Sequence, residues 1–402
     1  MRRRKRLVAE EIVLAGATRT PIGTFGGVFA EFHPAKLGAI AIAEALRRAG
    51  VDASQVDDVL LGEVIQGGQG MNVARQAAIQ AGIPVEATAM TINQVCASGL
   101  RAVAMAAQQI SMGDSRIVVA GGTESMSTAP YVLRKARFGY RMGNGELVDS
   151  MISDSLTCAI ERYHMGLTAE NVAAEMGISR EEQDQFAVES QAKAAAAMES
   201  GRFKEEIVPV EVPQGKGQLL LVEKDEHPRP GTTIERLAKL KPAFKPDGTV
   251  TAGNSSGLND GAAAVVVMSA STAKELGVTP QARIVGYAWA GVEPRIMGLG
   301  PVPAIKKALE KTGLSLSDID LIELNEAFAA QSLGVIQQLD LDRSILNVNG
   351  GAIALGHPVG ASGARILVTL TYEMARRKSK LGLASLCAGG GQGIAMIVES
   401  LM

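Results

Sequence analysis

The chain has little with which to crosslink, stack or coordinate. Of its 402 residues only three are cysteine (Cys96, Cys158 and Cys387), four are histidine and one is tryptophan, and aromatics make up 3%. Three cysteines, odd in number and far apart, exclude a disulfide framework. Neither CxxC nor HExxH occurs, so no metal site is expected. A formal net charge of −2 leaves no electrostatic footprint for nucleic acid, and so few aromatics leave no base-stacking platform. No uninterrupted apolar run is long enough to cross a bilayer, so a membrane is not an expected partner either. The start, MRRRKRLVAEEIVL, carries five basic residues without the apolar stretch of a signal peptide. A targeting role or a surface patch is open, but a solvated tail before the first strand is the simpler reading, and the default location is the cytoplasm. What is abundant is apolar and small: 47% hydrophobic residues and 45 glycines describe an α/β protein of tight turns. Its length allows two or three structural units around ample core.

The chain repeats itself. ALRRAGVDASQVDDVLLGE (45–63) faces ALEKTGLSLSDIDLIELNE (308–326) at an offset of 263, ASGLR (97–101) meets ASGAR (361–365) at 264, and VVAGG (118–122) meets the end of SLCAGG (385–390) at 268. Three matches in one order, with drifting offsets, argue for a duplicated fold. Each copy reads helix, turn, strand, loop, helix, strand. The strands are short apolar runs such as Arg116–Ala120 and Leu383–Cys387, as expected where helices cover both faces of a sheet. Two α/β halves with their middle helices packed together are therefore expected, and Ala262–Met268 reads as a buried strand closing the first.

Between Ser127 and about Val250 the composition turns polar, and prolines at 209, 213, 228, 230, 242 and 246 punctuate its second part. Ser179 and Glu182 form a capping-box start for a helix running to Ser200 and stopped by Gly201. This stretch has no counterpart in the second copy and reads as an insertion, a common source of substrate sites. The expected organisation is an N-terminal half (1–127 plus 252–277), an inserted loop domain (128–251) and a C-terminal half (278–402).

Cys96 lies in NQVCASGL, where Leu100, Val103, Ala104, Ala107 and Ile110 set a helical period beginning at Ala97 or Ser98. At a helix N-terminus, free N–H groups and the macrodipole lower a thiol's pKa. From this stretch alone a buried structural cysteine is the favoured reading. Cys96 aligns with Gly360, just after NVNGGAIALGHP, so His357 falls near the start of the equivalent helix. It could serve Cys96 as a base if the two helix ends face each other. CAGGGQG (387–393) ends the last apolar run with a second cysteine and glycines that permit close backbone approach. Asn325 in NEAF follows a strand at Ile319–Leu324, at the strand end where ligands of α/β sheets tend to bind.

Taken together and in this order, these four loops resemble those of the thiolase family, over nearly the full chain. YHMGLTAEN (163–171), KPAF (241–244) and TAGNSSGLNDGAA (251–263) resemble its coenzyme A loops. The YHMG tetrapeptide resembles the biosynthetic, acetoacetyl-CoA-forming branch. The resemblance implies a layered α-β-α-β-α fold and a Claisen condensation of two acetyl-CoA molecules, reversible by thiolysis. Cys96 would be the acyl-carrying nucleophile, His357 its base and Cys387 the base for the α-proton. Asn325 would hold a water beside His357, and Gly389 would supply a backbone oxyanion donor with Cys96. For the substrate, Ser256 would bond the pantetheine arm, Leu156, Met165 and Phe244 line its tunnel, His164 stand near the thioester, and Arg229 meet the nucleotide end. Cys158 matches no motif. No permanently bound cofactor is implied, only acyl-CoA substrates, and the assembly implied is a homotetramer.

Four other readings remain at this stage. A 3-ketoacyl-CoA thiolase of broader chain length differs only in the acyl pocket. A ketoacyl synthase would lack the paired cysteines and CoA loops, a non-catalytic thiolase-like lipid-binding protein would lack a reactive group, and a cysteine hydrolase would not need Cys387.

Overall fold

The computed structural model describes residues 10–215 and 217–402, so the basic residues 2–6 lie outside the described residues. The first half runs β1 (Ile12–Arg19), β2 (Gly23–Thr24), α1 (Pro34–Ala49), β3 (Asp58–Gly62), α2 (Val73–Gln80), β4 (Thr88–Ile92), α3 (Ser98–Met112) and β5 (Ile117–Ser125). The stretch that follows carries two small hairpins, β6 (Tyr131–Val132) with β7 (Val148–Asp149) and β8 (Val210–Pro213) with β9 (Leu219–Val222). Between and after them lie α4 (Met165–Met176), α5 (Arg180–Glu199) and α6 (Ile234–Leu237). The long strand β10 (Asn259–Ser269) and α7 (Ala270–Leu276) complete the first half. The second comprises β11 (Ala282–Gly291), α8 (Pro301–Thr312), β12 (Leu321–Leu324), α9 (Ala329–Leu339), α10 (Ala352–Leu355), α11 (Ser362–Arg377), β13 (Leu381–Ala388) and β14 (Gln392–Ser400).

One sheet of order β12-β13-β14-β11-β1-β10-β5-β3-β4 spans both halves, with β2 paired to β10. The halves join through two antiparallel partners, Val13 with Arg283 and Leu14 with Ala282. All eleven residues of β10 are buried. Ala262, Ala264, Val266 and Met268 pack toward α1 and α2, while Ala263, Val265 and Val267 pack toward α3 and α11. A strand covered on both faces needs no polar alternation, which is why AAAVVVM reads as a continuous apolar run. Helices α8 and α9 cover the outer face of the second half. The layers are thus α1/α2, the first-half strands of the sheet, α3/α11, its second-half strands, and α8/α9.

The two middle helices cross where the repeated ASG segments lie. A Cβ on Gly99 would stand 2.8 Å from the Ala364 nitrogen, and one on Gly363 would stand 2.4 Å from that of Leu100. Only glycine allows backbones that close. This crossing brings the N-termini of α3 and α11 together. The capping box at Ser179 and Glu182 forms as expected, and α5 spans Arg180–Glu199. The strands are longer or shifted relative to their apolar runs, and the loop expected between residues 63 and 97 contains α2 and β4. Strand β4 escapes notice because it is a half-exposed edge with little apolar contrast.

Candidate active site

Helix α3 begins at Ser98, so Cys96 sits just ahead of its first turn. The turn is held by Ser98, whose Oγ accepts from the Gln94 N–H (2.8 Å) and donates to the Val95 carbonyl (2.6 Å). Val95 adopts φ +50°, a left-handed conformation that a β-branched residue rarely takes. Such strain costs about 1–3 kcal/mol and persists only where the surroundings enforce it. The backbone N–H groups of Gly389 and of Cys96 itself lie close to the Cys96 thiol and favour its ionised form. Burial outweighs them and, with the Glu124 carboxylate adding to the effect, pushes the thiol up to about 11. The lowering expected from the helix N-terminus is therefore overturned: two amide donors do not repay the desolvation of a thiolate.

His357 is buried at the equivalent turn of the second half. Ser362 Oγ donates to the Pro358 carbonyl (2.9 Å), so it accepts from His357 Nδ1–H at 2.6 Å. That assignment leaves the Nε2 lone pair to accept a long bond from Asn325 Nδ2 at 3.4 Å. Burial, with the Arg365 guanidinium second, pushes the imidazole down to about 3, so it is neutral at physiological pH. Asn325 is fully buried at the end of β12, and its Oδ1 has no protein partner. Cys387 closes β13, buried against Met165 and Phe328. Burial and the neighbouring Cys96 thiol both push its thiol up. The two cysteines therefore share one site, and Gly389, two residues after Cys387, brings its backbone N–H close to the first.

Beside this group opens a cavity of 710 Å³ whose wall includes Leu156, His164, Phe244, Ser256, Phe328 and His357. Arg229 lies on its exposed part with Pro230 and Arg236. His164 caps α4, its Nδ1 accepting from the Gly166 N–H at 3.0 Å, and its ring stacks on Phe244 at 4.7 Å. Burial lowers its pKa. Ser256 is fixed through its backbone N–H to the Ala327 carbonyl. Met165 is not on the cavity wall; it packs behind, in the apolar cluster around Cys387. Cys158 belongs to that same cluster, its sulfur accepting from the Glu161 N–H.

Two residues of the site were missed in the sequence. Asn259 Oδ1 accepts from the His357 N–H at 2.8 Å while its Nδ2 bonds the Gly23 carbonyl, so β10 aims the histidine loop. His227 lines the cavity with an unpartnered, buried Nδ1, and burial plus Arg229 push it down to about 4. Its scarcity was the available signal, one of four histidines in the chain. His33, by contrast, only caps α1. Among the described residues there is no cluster of His, Cys, Asp and Glu that could hold a metal ion, and no helix long and apolar enough to cross a membrane.

The thiolase N-terminal domain family matches residues 12–271 and the thiolase C-terminal domain family residues 278–400. This chain belongs to the thiolase family. An acetyl-CoA acetyltransferase from Pseudomonas aeruginosa is 59% identical over 96% of this thiolase and 98% of its own length. One from Cupriavidus necator is 59% identical over 97% and 99%. The crystal structure of the Bacillus anthracis acetyl-CoA acetyltransferase superposes with a TM-score of 0.96 at 50% identity, covering 98% of this chain and 99% of that one. The human mitochondrial 3-ketoacyl-CoA thiolase gives 0.95 at 47%, covering 98% and 100%. The thiolase fold expected from the loop motifs is the one observed.

Proposed function

We propose that this thiolase is an acetyl-CoA C-acetyltransferase, condensing two acetyl-CoA molecules to acetoacetyl-CoA and CoA and catalysing the reverse thiolysis. The observation that carries this is the pair of thiols in one site with a neutral histidine whose unprotonated Nε2 has only a long contact from Asn325 Nδ2. A hydrolase needs only one such thiol. Relatives near 59% identity over almost the whole chain, all acetyl-CoA acetyltransferases, favour this substrate over longer 3-ketoacyl-CoAs.

Both thiols and the imidazole are neutral before reaction, so each proton moves as bonds change. His357 Nε2 takes the Cys96 proton as sulfur attacks the thioester carbonyl, and returns it to the departing CoA sulfur. The acetyl group is now on Cys96. Cys387 gives its own proton to His357 Nε2 and, as the thiolate, removes an α-proton from the second acetyl-CoA, so that it ends protonated as it began. The enolate oxygen that forms is stabilised by His357 and by a water held on the Asn325 amide. The α-carbon attacks the acetyl-Cys96 carbonyl, whose oxygen takes the N–H groups of Cys96 and Gly389. Collapse expels the Cys96 sulfur, which takes back a proton from His357 Nε2, and releases acetoacetyl-CoA. The closeness of those two N–H groups to the sulfur supports the oxyanion role, since the carbonyl carbon of an acylated Cys96 is attached to that sulfur.

Leu156, His164, Arg229 and Phe244 all come from 128–251, which supports reading that stretch as a substrate-binding insertion, with Ser256 just beyond it. Met165 would act through Cys387 rather than through the tunnel. A homotetramer accounts for exposed Phe138 and Met142, each more than nine-tenths accessible. Light scattering on the purified chain tests it, and fractionation tests the cytoplasmic location.

The activity is tested by intact mass after mixing with acetyl-CoA, for wild type, Cys96→Ser and Cys387→Ser. Wild type and Cys387→Ser should gain one acetyl group, and Cys387→Ser should make no acetoacetyl-CoA. Acetylation of Cys96→Ser at the wild-type rate would sink the assignment.

A further inference from the structure

Glu124, near the end of β5, is a buried carboxylate with no cation bonded to it and three backbone donors. Its Oε2 accepts from the N–H groups of Val64 (2.9 Å) and Gly360 (2.9 Å), and its Oε1 from that of Ile65 (3.2 Å). These donors belong to different halves. Val64 and Ile65 follow β3, and the Val64 carbonyl accepts from Asn93 Nδ2 at 3.2 Å. Asn93 in turn accepts from the Val95 N–H at 3.0 Å, within the turn that presents Cys96. Gly360 lies three residues after His357. A single side chain thus links the Cys96 loop, through Val64 and Asn93, to the His357 loop.

The surroundings are built around this link. A Cβ on Gly360 would meet Glu124 Oε2 at 2.8 Å and the Glu63 Cα at 2.7 Å, and one on Gly122 of β5 would meet the Gly360 carbonyl at 2.1 Å. The histidine loop therefore rests directly on β5. Nothing in the condensation itself uses Glu124. Glutamine, the same size, has one acceptor oxygen where donors approach both terminal atoms, so carboxylate chemistry is required. Glu63, in the same region, bonds nothing through its carboxyl.

We propose that Glu124 is a positioning residue for the condensation, holding the Cys96 loop and the His357 loop in register across the boundary between the two halves. The proposal rests on the thiolase mechanism given above. The bonds are to backbone donors, so the expected loss is in turnover and not in substrate binding, because the cavity wall is made by other segments.

The test compares Glu124→Gln and Glu63→Gln with wild type in four readouts: kcat, KM for acetyl-CoA, iodoacetamide labelling of Cys96, and melting temperature. Glu124→Gln should lose about 10- to 100-fold in kcat, the range a misplacement near 1 Å produces. Its KM should stay within about twofold and its melting temperature within a few degrees. Labelling should be no slower than wild type, because removing the Glu124 charge eases ionisation of the thiol. Glu63→Gln should keep wild-type kcat and KM. If Glu124→Gln does not fold, Glu124→Asp is read instead: it keeps the charge but is one methylene short, and should show the same loss confined to kcat. A kcat within twofold of wild type overturns the proposal. So does a joint fall of kcat, KM quality, labelling and melting temperature, which would mark Glu124 as a general support. A wild-type protein inactive on acetyl-CoA would overturn the thiolase mechanism instead, a distinguishable failure.

Discussion

In the first half the turn before α3 reads Asn93-Gln94-Val95-Cys96-Ala97-Ser98; in the second the turn before α11 reads His357-Pro358-Val359-Gly360-Ala361-Ser362. Both place a serine in the first helical turn whose hydroxyl donates back to a carbonyl, Val95 in one case and Pro358 in the other. The differences lie in what surrounds each position. Cys96 follows a valine forced to positive φ and keeps partial exposure toward the site. Its counterpart Gly360 is wedged against β5 with no room for a side chain. Conversely His357 is buried and reaches Asn325, while its counterpart Asn93 only ties backbone to backbone. Duplication supplied one turn twice, and packing decided which copy has space for a sulfur and which for an imidazole.

Exchanging the roles is the strongest way to break this comparison. His357→Asn gives the second turn the residue of the first, and should lower kcat by about 10²–10⁴, the usual worth of a general acid–base group. The melting temperature should move little, since asparagine is accommodated in the matching turn. Retention of more than a tenth of the activity would contradict the division of labour.

Titration sharpens it next. With the thiol up near 11 and the imidazole down near 3, the two groups form no ion pair at neutral pH. The thiolate fraction then rises with pH, so iodoacetamide labelling of Cys96 should quicken about tenfold per pH unit between pH 7 and 9. A plateau with its midpoint below pH 8 would reveal a thiolate–imidazolium pair instead. The serines come third. Ser362→Ala removes the acceptor that fixes the His357 tautomer and should cost about tenfold in kcat. Ser98→Ala should cost about 1 kcal/mol of stability, read by denaturant unfolding.

The smallest effects belong to Glu63 and its counterpart Glu326, 263 residues on. Glu326 accepts from Ser190, Asn347 and the Ile353 N–H, whereas Glu63 has no partner. Burial, with Glu124 second, raises the Glu63 carboxyl to about 9 from an ordinary 4.5. A folded-state pKa above the unfolded one means a contribution fully present below pH 4.5 and lost as pH rises toward 9. Glu63→Gln should therefore melt about 1–4 °C higher than wild type at pH 8, with the gain shrinking at pH 5. Glu326→Gln should melt lower at both.

Much of this architecture could be read in advance because it is local or repeated. The duplicated segments pointed to the crossing of α3 and α11, the capping box located α5, and four loops in order gave the family and its fold. What could not be read depends on tertiary packing. Helix-end electrostatics favoured an acidic Cys96, but burial is invisible to a linear pattern and reversed the sign. Met165 falls in the matched loop, yet its side chain turns toward Cys387. Asn259 and Glu124 act through backbone donors hundreds or tens of residues away, and such partners leave no spacing to detect. The edge strand β4 lacks the apolar contrast that betrays buried strands.

The seam between the halves constrains how the chain can fold. Strand β1 lies at the start, yet its neighbours are β10 and β11, with Ile12 opposite Ser269 and Leu14 opposite Ala282. During synthesis both edges of β1 must wait while some 250 residues emerge, and at roughly 5–20 residues per second that is a delay of tens of seconds. Such distant pairings make for slow assembly. The first half cannot close until the whole inserted stretch has been made, and the other edge of β1 then stays open until β11 of the second half arrives.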